Sequence, residues 1–78
     1  MKVKLNDKIK NLRGQLNFSY RKLCNTSNIN YTTYYRLENG TIKNPRIDTL
    51  MKLAEVFDMT LFELLDGTEF DTRTKRGE

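Results

Sequence analysis

Apolar residues recur along this chain at helical spacing, always in short bursts that Asn, Gly or Pro cuts off. Leu5, Ile9, Leu12 and Leu16 predict an amphipathic first helix from Asn6 to Leu16, with Gly14 weakening its last turn. Ser19 is placed to cap a second helix, Tyr20 to Thr26, whose inner face carries Leu23 and Cys24. No Glu or Gln stands after Ser19 at the spacing a capping box needs. The run Thr26-Ser27-Asn28-Ile29-Asn30 reads as a turn, in which Asn28 tolerates a left-handed backbone and Asn30 caps the next helix. A third helix runs from Tyr31 to Glu38 with Tyr34 and Leu37 inward, and Asn39-Gly40 stops it. Beyond the polar loop Thr41 to Pro45, the residues Ile47, Leu50, Leu53, Ala54 and Phe57 trace a fourth helix. Thr60 caps a fifth, which holds Leu61, Phe62, Leu64 and Leu65 before Asp66-Gly67 ends it. No strand and no internal repeat is visible. The expected fold is all-α: a compact five-helix domain over residues 1–67, with a polar, flexible tail over 68–78.

The 78 residues make one domain, and the 37% that are hydrophobic suffice for a single core. The one cysteine, Cys24, excludes an internal disulfide and reads as a small packed hydrophobe. With no histidine in the chain, no metal site and no cofactor is expected. An enzyme is equally unsupported: there is no Gly-rich phosphate loop, and the thiol has no base beside it. The lysines of the first residues lead into no apolar run, so no secretory signal is expected. No stretch approaches the roughly 18 apolar residues of a membrane span. These readings predict a cytoplasmic protein with no membrane partner.

Charge is distributed unevenly. From Lys8 to Arg46 eight cations face the single anion Glu38, a net +7, whereas Ile47 to Asp66 nets −4. A basic segment of this kind is the footprint of a polyanionic partner, with an ordinary solvated face as the alternative. RNA is disfavoured, because no aromatic-studded sheet is available to stack bases. The second and third helices, joined by a short turn, supply a small residue at the crossing (Cys24), a left-handed position (Asn28) and apolar contacts (Ile29, Tyr34, Leu37). That is a helix-turn-helix, whose second member presents its outer face to the DNA major groove.

The stretch Ile9 to Leu65 resembles the lambda-repressor-like (XRE/Cro-type) helix-turn-helix family of bacteria and phages. The residues that carry the resemblance are Leu12-Arg13, Phe18-Ser19, Leu23-Cys24, Asn28-Ile29-Asn30 and Arg36-Leu37-Glu38-Asn39-Gly40. Asn44-Pro45-Arg46, Thr49-Leu50, Leu53-Ala54 and the run Thr60 to Leu65 continue it. Three positions depart from the pattern: Tyr20 stands where Gln is usual, Asn28 where Gly is commoner, and Ser27 where an apolar residue is usual.

The resemblance implies base contacts by Tyr31, Thr32 and Arg36, for Arg36 as the alternative to an ion pair with Glu38 or Asp48. It implies phosphate contacts by Arg13, Ser19, Tyr20, Asn30, Asn39, Lys43 and Arg46, with capping the main role for Ser19. Tyr35 is expected off the reading face. Relatives commonly pair through the last helix, so a homodimer seam is expected at Met59, Leu61 and Phe62. The implied function is a transcriptional regulator, a repressor on a palindromic double-stranded operator. The alternative is an antitoxin or immunity-type protein that holds a protein partner through its C-terminal tail.

Overall fold

A computed structural model describes residues 3–70 of the chain. Five helices succeed one another: α1 Leu5–Leu16, α2 Tyr20–Ser27, α3 Tyr31–Glu38, α4 Ile47–Val56 and α5 Leu61–Leu65. Their bounds agree with the sequence expectation to within one residue, Phe57 serving as the C-cap of α4. No helix among the described residues is long and apolar enough to cross a membrane.

The helix ends share one device. Asn17, Asn28, Gly40 and Asp58, each just beyond a helix, have φ between 58° and 76°. The left-handed turn lets the next amides fold back onto orphan carbonyls, as Ile29 N–H does on Cys24 C=O and Thr41 N–H on Arg36 C=O. Side-chain caps open three of the helices: Ser19 accepts from Lys22 N–H, Asn30 from Thr32 and Thr33 N–H, and Thr60 from Glu63 N–H. At Thr60 the arrangement is a full capping box, with Glu63 accepting in return from the Thr60 amide.

One core unites the helices. Leu5 and Ile9 of α1, Leu23 and Cys24 of α2, Tyr34 and Leu37 of α3, Leu50, Leu53 and Ala54 of α4, and Leu64 of α5 are all buried, together with Ile29 and Phe57. α2 packs against α3 and α4, α1 against α3, and α4 against α5. Leu16 is an exception to the predicted stripe of α1 and remains exposed. Ser27 is buried where an apolar residue would be usual, and it donates its hydroxyl to Leu23 C=O at 2.7 Å. Burial therefore leaves no hydroxyl unmet there.

The expected boundary at Gly67 moves outward. Thr68 is fully buried, Val3 and Thr68 form an isolated parallel bridge, and Val3 N–H donates to Gly67 C=O. Lys4 provides no side-chain cap for α1; instead Leu5 N–H donates to the Glu69 carboxylate at 2.7 Å. Phe70 packs on the core. The polar character of Thr68 and Glu69 hides this docking, because both act through hydrogen bonds and not through apolar periodicity. The rest of the expected tail, residues 71–78, lies outside the described residues.

Candidate DNA-binding interface

At about 100° per residue, α3 divides into an inner and an outer face. Tyr34, Leu37 and Glu38 point inward and are buried, whereas Thr32 and Arg36 lie opposite them and are exposed. Two shoulders flank this outer strip. On one side the ring of Tyr20 meets the rings of Tyr31, Tyr34 and Tyr35 edge to face, with centroids 5.9, 5.7 and 5.8 Å apart. On the other, Thr33 and Leu37 share a shallow cleft with Ile42, Asn44, Pro45 and Arg46 of the adjoining loop. The loop is held to α3 by Thr41, which donates both its amide and its hydroxyl to Arg36 C=O.

Glu38 organises the inner side. Its carboxylate accepts from Arg13 Nε and from an Arg13 terminal nitrogen, each at 2.9 Å, and from the Tyr34 hydroxyl. A further Arg13 nitrogen donates to Phe18 C=O at 2.7 Å, and the guanidinium lies 4.6 Å from the centre of the Tyr20 ring. Burial by itself would raise the Glu38 carboxyl. The hydrogen bonds from Arg13 and Tyr34 outweigh it and hold the group below the usual carboxylate range. The Tyr34 hydroxyl is driven upward by burial and by its bond to Glu38. Burial likewise pushes up the Cys24 thiol, which suits a packing role.

Three residues expected at phosphates, Arg13, Tyr20 and Asn39, have partners within the fold. Arg13 pairs with Glu38 and donates to Phe18 C=O, with an outer edge of its guanidinium left exposed. The Tyr20 phenol is pushed above its usual range by burial and by the neighbouring Glu38 carboxylate. The Asn39 amide donates to Tyr35 C=O at 2.7 Å. Arg13 and Tyr20 brace α3 from its inner side, while Asn39 closes the end of the helix.

The other expected contacts lie outside. Ser19, Asn30, Lys43 and Arg46 are exposed, the first two with their oxygens engaged as caps. Arg46 makes a long bond of 3.3 Å to Asp48, both side chains well exposed, a pairing of little energetic weight. Glu38 and Asp48 are thus taken by Arg13 and Arg46. Arg36 makes no ion pair among the described residues. Lys8 leaves the basic surface, since its ammonium donates to the Glu63 and Asp66 carbonyls at 2.6 and 2.9 Å. Lys10, Arg21, Lys22, Arg36, Lys43 and Arg46 remain exposed. Tyr35, expected off the reading face, is as exposed as Tyr31, at 49% and 50%. The i, i+4 spacing of these tyrosines was the available signal.

The model of the Cro/C1-type helix-turn-helix DNA-binding domain matches residues 8–68, from α1 through the docked segment after α5. The chain belongs to this family. Among curated proteins, this Cro/C1-type domain is 29% identical over 68 residues to the HTH-type transcriptional regulator DdrOP3 of Deinococcus deserti. That match covers 87% of the chain and 52% of DdrOP3, so the domain spans about half the length of this relative. Among solved structures it is similar to SinR in the SinR–SinI complex, with a TM-score of 0.76 and 26% identity over 80% of this chain and 60% of that one. It is also similar to SinR, the master regulator for biofilm formation, in complex with DNA. There the TM-score is 0.74 and the identity 26%, over 80% of this chain and 98% of that one. The Cro/C1-type domain is thus that of a DNA-binding transcriptional regulator family.

Proposed function

We propose that the protein is a sequence-specific regulator, a repressor that occupies a palindromic double-stranded operator as a homodimer in the cytoplasm. The observation that carries this reading is the outer strip of α3, where Thr32 and Arg36 stand exposed between two braced shoulders, Arg36 without an ion pair among the described residues. Arg36 reads a guanine edge through its planar fork of donors, and Thr32 and Tyr31 meet neighbouring bases. Lys43 and Arg46 neutralise phosphates from the loop shoulder, and Ser19 and Asn30 add hydrogen bonds from the helix ends. Phe62, 70% exposed, anchors the dimer seam, with the partly buried Met59 and Leu61 beside it. Two such subunits place their α3 helices on half-sites about 34 Å apart. Selection from random duplexes tests this: the reading requires one enriched palindrome, and binding without enrichment overturns it.

A second reading is supported by the SinR–SinI complex, in which a structurally similar domain occurs with a protein partner. Here the main task is holding another protein, as an antitoxin or immunity-type regulator does. Co-purification of a stoichiometric second chain supports that reading, and a chain that purifies alone as a dimer counts against it.

A further inference from the structure

The Tyr20 shoulder does more than support α3. Tyr31 and Tyr35 lie one helical turn apart, half exposed, each with its ring set edge-on against Tyr20 at 83° and 87°. Tyr20 is itself fixed by the Arg13 guanidinium over its face and by its edge contact with the buried Tyr34 ring. Two large rings are therefore held rigid beside Thr32 and Arg36, so little side-chain entropy remains to be lost on binding. The complementary apolar feature of a major groove is the thymine 5-methyl group, the one hydrocarbon that a base pair presents there.

We infer that Tyr35 joins Tyr31 in reading thymine methyl groups at the edge of each half-site, with Tyr20 as the positioning residue for both rings. This rests on the base-reading role proposed for α3, and it adds a reading residue and a base preference to it.

The test replaces thymine by deoxyuridine, which removes the methyl group and nothing else, at each T of a duplex enriched by selection. At one position or more in each half-site the wild-type protein loses about fourfold in affinity, the worth of one buried methyl. Tyr35→Ala binds the thymine and deoxyuridine duplexes equally at one such position, while Tyr35→Phe keeps the preference. Tyr20→Phe retains the edge contacts and the preference, and Tyr20→Ala loses it. Circular dichroism melts confirm that each variant is folded. Indifference of the wild type to deoxyuridine on an enriched duplex overturns this inference and leaves the α3 reading standing. Failure of Tyr35→Phe to behave as wild type assigns the hydroxyl to a phosphate and overturns it too. If no duplex is enriched, both fall together.

Discussion

Arg13 closes on Glu38 through two N–H···O bonds of 2.9 Å, a fork-to-fork pair that ties α1 to the back of α3. The carboxylate is almost wholly enclosed while the guanidinium keeps an outer edge. Removing one partner leaves an enclosed charge without its counter-charge, a loss that costs about 3 kcal/mol or more. Arg13→Ala should lower the unfolding free energy in urea by that much, and Glu38→Ala, which leaves the partly exposed guanidinium, by less. DNA affinity at temperatures where both variants are folded should fall less than stability does.

The same pair sets an acid limit. Because the folded-state Glu38 carboxyl lies below its ordinary value of 4.5, its contribution is present at neutral pH. It is lost as the pH falls through the folded-state value. Urea unfolding of the wild type should therefore show stability dropping below about pH 4.5. In Glu38→Gln, less stable at neutral pH, that part of the acid dependence should be absent. Parallel pH profiles for the two proteins would contradict the assignment.

Gly14 sits inside α1 with open space where a Cβ would be placed. Alanine there keeps the helix and reduces the freedom of the unfolded chain. Gly14→Ala should stabilise the domain by about 1 kcal/mol. In a domain of this size that corresponds to a rise of about 4–8 °C in Tm.

Glu69 caps α1 from the far end of the chain, a contact that no local pattern announces. Glu69→Ala should cost about 1 kcal/mol, as the loss of other N-caps does. Amide exchange should locate the change, with the first turn of α1 losing protection and α3 keeping it.

Arg36 and Lys43 should separate reading from clamping. Arg36→Ala should lose about 1–3 kcal/mol on the preferred duplex and relax the preference at one base pair. Lys43→Ala should weaken binding to all duplexes alike and lower the slope of log affinity against log salt by about one. Equal losses on preferred and random duplexes for both variants would contradict the division.

Local order is legible in the sequence; pairing across distance is not. The helices, the left-handed Asn28 and the caps at Ser19, Asn30 and Thr60 derive from spacing and from residue types with short-range mechanisms. The Thr60–Glu63 capping box is equally local and readable from its spacing. Outward roles suggest themselves for Arg13, Tyr20 and Asn39 because polar side chains near a helix-turn-helix so often face DNA. The target of Arg13 is nonetheless visible: Glu38 lies four residues after Tyr34 and so falls on the buried face, where an acid demands a partner. Which cation answers depends on the packing of α1 on α3, which periodicity does not encode. The docking of Thr68, Glu69 and Phe70 is obscured for the same reason.

The central claim is that the outer strip of α3 meets DNA, and an NMR titration of the labelled protein with duplex DNA tests it most directly. The account predicts the largest backbone shifts at Thr32, Tyr35 and Arg36, with smaller ones at Asn30, Lys43 and Arg46. Shifts concentrated around Phe62 and Met51, an exposed residue of α4, with α3 unmoved, would contradict it.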